Sequence, residues 1–112
     1  MAGCDYAGLA VCPSTKQWTN MGYVKHSKGL FGFHKGLDSG AEVLLEPGGV
    51  AFNQTPGIAK INLDGNDWYL VYGYSDQDNI DFAIKYFEKQ VPRVAEIFKK
   101  IASGKLNNMR VV

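Results

Sequence analysis

The sequence has few cysteines and histidines, the residues that bind zinc and supply thiol nucleophiles and their bases, and it lacks a long apolar run. It has two cysteines and two histidines in 112 residues. No stretch approaches the roughly 18 consecutive apolar residues that cross a bilayer. There is also no internal repeat, low-complexity tract or linker. These absences argue against a membrane-spanning chain and against an array of repeats.

The residues that are present fit one domain spanning residues 1–112. Hydrophobic residues make up 46% and charged residues 21%, close to ordinary globular usage. The length suffices for one domain and is too short for two. The formal net charge is only +1, yet residues 38–81 are acidic and both flanking segments are basic. Such segments can neutralise one another as neighbours, or form opposite faces that steer charged partners.

The N-terminus bears on localisation. Met1-Ala2-Gly3-Cys4 resembles the end of a bacterial lipoprotein signal, but the apolar segment that precedes such a cysteine is missing. We therefore expect a cytoplasmic protein, with an exported or lipid-anchored form as the alternative. Cys4 and Cys12 leave both a disulfide loop and two free thiols open.

The middle of the chain has the pattern of β-strands joined by tight turns. The clearest hairpin pairs Ile58–Leu63 with Trp68–Tyr74 around Asp64-Gly65-Asn66-Asp67, because Asp-Gly tolerates positive φ and the flanking residues alternate in polarity. In the second strand of this hairpin, the aromatic residues fall on both faces. Since a helix can cover only one face, we expect Tyr69 or Tyr74 to be exposed. Further strands are predicted at Leu9–Cys12 (or a buried turn there), Tyr23–His26, Leu30–His34, Glu42–Glu46 and Val50–Asn53.

The last third of the chain carries one apolar stripe. Its members recur at alternating spacings of four and three; they are Ile80, Ile84, Phe87, Val91, Val94, Phe98 and Ile101. This pattern predicts a long helix over about residues 79–103, begun by Ser75 or Asp78 as N-cap and ended by Gly104. Pro92 predicts a kink, with two separate helices as the alternative.

Together these elements predict an α+β fold. It consists of an antiparallel sheet of five or six strands in successive hairpins, with the long Pro-kinked C-terminal helix packed on one face. Additional apolar residues widen the helix stripe beyond a two-residue seam, which favours a buried core face over an exposed dimerisation seam.

One segment resembles a known nucleic-acid-binding strand. Lys28-Gly29-Leu30-Phe31-Gly32-Phe33 is similar to the Lys-Gly-Phe-Gly-Phe strand of cold-shock domains, and Gly22-Tyr23-Val24-Lys25 precedes it as a Gly-x-Val-Lys strand does there. In that family the aromatic rings stack on single-stranded bases while lysines contact phosphates. The resemblance implies single-stranded nucleic-acid binding. It departs from the family at Leu30, which is an extra residue, and in the long C-terminal helix.

Other residue clusters do not form a recognisable catalytic or metal motif. Cys4, Cys12, His26 and His34 are of the types that bind zinc, but gaps of seven residues do not pre-arrange ligand pairs. The Asp64–Asp67 turn lacks the frame of a calcium loop. We assign no metal and no cofactor, and we favour a protein that is not an enzyme.

The sequence therefore predicts a small non-enzymatic binding or interaction module. Its proposed surface is aromatic and basic and consists of Tyr23, Lys25, Lys28, Phe31, His34 and Lys35. One alternative is single-stranded nucleic-acid binding through the Lys28–Phe33 segment. Another is a small-ligand carrier or enzyme with a cavity between sheet and helix. A protein partner or a homodimer stays open.

Overall fold

A computed structural model describes residues 5–25, 42–48, 55–63 and 65–104, with the side chains of Asp5 and of residues 23–25 outside the description. These residues form a five-stranded antiparallel sheet followed by two C-terminal helices, which confirms the α+β class. The elements are β1 Asp5–Cys12, β2 Gln17–Lys25, β3 Glu42–Leu45, β4 Gly57–Leu63, β5 Asn66–Gly73, α1 Asp76–Gln90 and α2 Pro92–Ala102. Neither described helix has the length and apolar character to cross a membrane.

The strand order corrects the expected succession of hairpins. The order is β2-β1-β5-β4-β3, so β1 pairs with both β2 and β5. Consecutive strands β2 and β3 consequently lie at opposite edges. The run Leu9-Ala10-Val11-Cys12 is apolar on both faces, and only a central strand buries both faces. The predicted strands Leu30–His34 and Val50–Asn53 lie outside the described residues.

The predicted β4–β5 hairpin forms, but its turn is shorter than expected, because Asn66 and Asp67 are the first two residues of β5. β4 ends at Leu63 and β5 begins at Asn66, with these two residues paired across the turn. Gly65 in the turn has a φ of +81°, a conformation that glycine adopts without steric penalty. The local Asp-Gly signal therefore sets the register of this hairpin.

Both faces of the sheet are buried. On one face Leu9, Val11, Ile58 and Val71 pack with the helices. The opposite face has its own apolar cluster, which includes Tyr6, Ala10, Cys12, Ala59, Ile61, Trp68, Leu70 and Tyr72. The prediction that successive side chains of β5 point to opposite faces of the sheet is thus correct. Either Tyr69 or Tyr74 was expected to be exposed, and Tyr74, just beyond β5, is 61% exposed.

The apolar stripe packs against the sheet, but it belongs to two helices. All seven stripe residues lie in or against the helix-side cluster. Val91 has φ −141° and ψ 86°, which is not helical, and it separates α1 from α2. The single kinked helix is therefore replaced by the two-helix alternative. A residue before proline is pushed out of the helical region, and Pro92 is well suited to the first position of a new helix.

Polar contacts fix the start of α1 on the sheet. The predicted N-cap Ser75 accepts a hydrogen bond at Oγ from the Asp78 N–H over 3.2 Å. One turn later Asn79 is fully buried, and its Nδ2 donates to the Ala7 carbonyl of β1 over 2.8 Å. At the other end of the helical pair, Gly104 has a φ of +75° and follows the last turn of α2, as predicted.

Candidate functional site

A polar groove lies at the end of the sheet near the β4–β5 turn, and we call it the sheet-end groove. Its volume is about 490 Å³, within the usual range of ligand sites. It is lined by Pro13, Ser14, Lys60, Gly65, Asn66, Asp67, Tyr69 and Arg93. These residues come from the β1–β2 turn, from β4 and β5 with their connecting turn, and from the start of α2.

Strand pairing explains the floor of the groove. Lys60 on β4 is directly opposite Tyr69 on β5, and Tyr69 is directly opposite Val11 on β1. All three continue the face on which the helices pack, because Ile58 and Val71, two residues away, lie in the helix-side cluster. Lys60 and Tyr69 therefore form the floor of the groove, whereas Val11 in the same row is fully buried and does not line it.

Two cations and one carboxylate set the charge of the groove. The Lys60 ammonium lies 3.7 Å from an Asp67 carboxylate oxygen, and both side chains are substantially exposed. Such an exposed pair is weak and can exchange partners. Arg93 is exposed and has no ion-pair partner within the described residues. Its guanidinium is thus available to a ligand.

The start of α2 adds to the positive character of this wall. Pro92 occupies the first helical position, no side chain caps the helix, and its first turn has no acidic residue. By contrast, α1 has the Ser75 cap and acidic residues in its first turn. The partial positive charge at the N-terminus of α2 is therefore not offset locally, and it lies next to the Arg93 side chain.

A smaller recess adjoins the groove. Its volume is about 200 Å³, and it shares Pro13 and Arg93 with the sheet-end groove. Its other lining residues are Lys16, Glu96, Ile97 and Lys100. Lys16 has a φ of +60° in the tight turn after β1, whose backbone closes through a 2.8 Å hydrogen bond from the Lys16 N–H to the Cys12 carbonyl. Basic residues thus predominate across both cavities.

Tyr69 gives the groove an aromatic wall backed by the core. Its ring meets Phe87 of α1 at a centroid distance of 5.0 Å and an angle of 63°. Phe87 in turn stacks on Phe98 of α2, with centroids 5.8 Å apart and planes at 7°. Because buried rings hold it from behind, the partly buried Tyr69 side chain is positioned before any ligand arrives.

Cys12 is the one described member of the cysteine and histidine set considered from the sequence. It is a free, buried thiol whose Sγ lies 3.2 Å from the Ser14 hydroxyl oxygen. Burial acts to raise the pKa of the thiol, but hydrogen bonds from Ser14 and Thr15, through side chains and backbone, outweigh it and lower the pKa. Cys12 packs in the cluster on the sheet face away from the helices. Across the described ranges, no group of three or more potential ligands could hold a metal.

The surface predicted from the sequence falls almost entirely outside the described residues. Tyr23 and Lys25 belong to β2, where they pair with Ala7 and Asp5, but their side chains are not described. The remaining four members, Lys28, Phe31, His34 and Lys35, lie in the undescribed range 26–41. The described residues therefore do not test this surface or the nucleic-acid-binding segment Lys28–Phe33, and both stay predictions.

Sequence reasoning missed the sheet-end groove because its residues belong to different motifs. Lys60 was visible as a polar residue in an alternating strand, and Tyr69 as one of several aromatic residues in β5. Arg93 was visible only as a charge on the solvent side of a helix. A local signal existed in the Lys60 position, since a lysine on the same strand face as Ile58 cannot lie under a helix without a partner.

No known protein family, curated protein or solved structure matches this chain.

Proposed function

We propose that this protein is a small non-enzymatic binding module that takes an anionic ligand in the sheet-end groove. The observation that carries the proposal is the Arg93 guanidinium, which has no ion-pair partner in the described ranges and lines a groove that also contains Lys60. A guanidinium fork matches the geometry of a phosphate or carboxylate group.

The lining favours binding over turnover. Asp67 is the one carboxylate among the described lining residues, and it lies beside Lys60. The Ser14 hydroxyl lies against the Cys12 thiol, with no histidine among the groove's described residues to act as its base. What these groups offer is charge and hydrogen bonding to a bound anion.

The proposal is tested by titrating the full chain with pyrophosphate, followed by calorimetry or by amide chemical shifts. We expect Arg93→Gln to weaken binding about tenfold or more, since hydrogen bonds between charged groups contribute about 1.5–3 kcal/mol. We expect Lys60→Gln to weaken binding less, because the lysine already has a carboxylate nearby.

Lys85→Gln is the matched control, because Lys85 is an exposed cation of α1 that does not line the groove. It removes the same charge and should leave the affinity within experimental error. Equal weakening by Lys85→Gln and Arg93→Gln would mean that net charge, rather than the groove, attracts the anion. Absence of pyrophosphate binding at millimolar concentration would refute the proposal.

A further inference from the structure

The sheet-end groove is larger than an inorganic anion requires, and it has an aromatic wall as well as basic side chains. A phosphate group alone would contact Arg93 or Lys60 and leave most of the 490 Å³ to water. Tyr69 lies in the same lining and presents a ring held by Phe87 behind it. A rigid aromatic wall favours a planar ring in the ligand, because stacking then costs little side-chain entropy.

The spacing of these groups is set by the sheet. Tyr69 and Lys60 are directly opposed across β5 and β4, and the Cβ atoms of such a pair lie about 5 Å apart. Both side chains rise from one face, so an aromatic ring on Tyr69 would place an attached anionic group within reach of the lysine. Arg93 contributes from α2 on the wall of the same groove.

From this arrangement we infer that the sheet-end groove binds a nucleotide unit, with the base against Tyr69 and the phosphate at Arg93 and Lys60. The inference rests on the proposed anion-binding function and names its ligand class. Asn66 also lines the groove, and its side-chain amide can donate and accept hydrogen bonds at the edge of a base or at a ribose hydroxyl.

The test compares adenosine monophosphate with inorganic phosphate on the full chain. Base–aromatic stacking contributes about 1–3 kcal/mol, so we expect the nucleotide to bind roughly tenfold more tightly than phosphate, or better. Tyr69→Leu should remove that advantage, so that the nucleotide and phosphate then bind with similar affinity. Tyr69→Phe retains the ring and should keep it.

Since Tyr69 contacts Phe87, Tyr69→Leu can disturb folding, and a second measurement avoids this problem. On the unaltered chain, nuclear Overhauser effects should connect the protons of the base with the ring protons of Tyr69. If such effects are absent and the nucleotide binds no more tightly than phosphate, the inference is wrong while the anion site stands. If neither phosphate, pyrophosphate nor nucleotide binds, both proposals fail.

A nucleotide unit can come from a free mononucleotide or from a single strand. Titration with a short oligoadenylate distinguishes them. Affinity equal to that of the mononucleotide supports a free ligand. Tighter, strongly salt-dependent binding supports the same unit within a strand, because further phosphates then release counterions. In both cases we expect Tyr69→Leu to bind the ligand more weakly than the unaltered chain does, because the stacking contact is lost while the phosphate contacts remain.

Discussion

The Asn79 side chain connects the first helix directly to strand β1 of the sheet. It is fully buried in the first turn of α1, and its amide donates to the Ala7 carbonyl of the central strand. Its Oδ1 approaches Gly73, which is paired with Ala7. Asn79 can approach Gly73 this closely only because glycine has no side chain.

Replacing Gly73 by alanine should destabilise the protein by about 1–3 kcal/mol, as overpacking of a buried site does. The new Cβ would lie 2.5 Å from Asn79 Oδ1 and 3.0 Å from the Pro56 ring. Relief would require movement of Asn79 and loss of its bond to Ala7. Urea unfolding followed by tryptophan fluorescence measures the change.

Gly48→Ala is the control for this prediction. A Cβ at Gly48 would meet no atom within 4 Å, and the residue is not at positive φ. Its substitution should change the free energy of unfolding by no more than about 0.5 kcal/mol. A Gly73→Ala variant as stable as Gly48→Ala would contradict the packing described for Asn79.

Among the elements, the two helices show how a proline divides one apolar stripe between two helices. The backbone of Val91 is not helical. Its N–H donates to the Phe87 carbonyl over 2.8 Å, which is the last hydrogen bond of α1. Its carbonyl accepts from the Val94 N–H over 2.9 Å at the start of α2. The break therefore loses few hydrogen bonds. Across it, the Lys99 ammonium of α2 lies 3.0 Å from Glu88 of α1 and 3.2 Å from Glu96.

The cap of α1 can be tested directly. Ser75→Ala removes the acceptor for the Asp78 N–H and should cost about 1 kcal/mol of stability. Ser75→Asp keeps an acceptor oxygen and adds a negative charge at the positive end of the helix, so it should be close to the unaltered chain. Thermal unfolding by circular dichroism compares the three proteins. Equal losses for alanine and aspartate would show that the cap does not contribute.

At the scale of the whole molecule, the sheet buries side chains on both faces, and this shapes how stability depends on pH. Tyr72 of β5 lies in the cluster away from the helices, with the Tyr6 ring at 5.5 Å in an edge-to-face contact. Burial raises the pKa of the Tyr72 phenol well above its ordinary value, and Glu46 and Tyr6 reinforce the effect. The neutral form is therefore favoured in the folded protein.

The sign of the pH dependence follows from proton binding. Above about pH 10 the unfolded chain loses the Tyr72 proton while the folded chain keeps it. The unfolded state then binds fewer protons, so the free energy of unfolding falls as the pH rises. The contribution is fully present below the unfolded pKa. Urea unfolding at about pH 8 and about pH 11 measures this fall.

The free energy of unfolding of Tyr72→Phe should fall less steeply over that pH range than that of the unaltered chain, because the phenylalanine ring has no proton to lose. Tyr74→Phe removes an exposed phenol and should retain the slope of the unaltered chain. If Tyr72→Phe and the unaltered chain lose stability in parallel, the buried phenol does not govern the alkaline transition.

The sequence by itself determined the features that depend on neighbouring residues. Asp-Gly placed the β4–β5 turn, the Ser75 hydroxyl began α1, and the alternation of β5 assigned its side chains to two faces. These features follow from backbone conformations and periodicities that a short segment carries within itself. The apolar stripe likewise identified the buried side of the helices, although not the break at Val91.

Only the tertiary structure decided which distant segments meet. The insertion of β1 between β2 and β5 and the approach of Arg93 to Lys60 and Tyr69 join residues far apart in the chain. Local periodicity does not specify such pairings, because strands with the same alternation can pair in several orders. In the described sheet β1, β5 and β4 bury side chains on both faces and lie between the two outer strands, and the groove forms where the helices leave the end of this sheet uncovered.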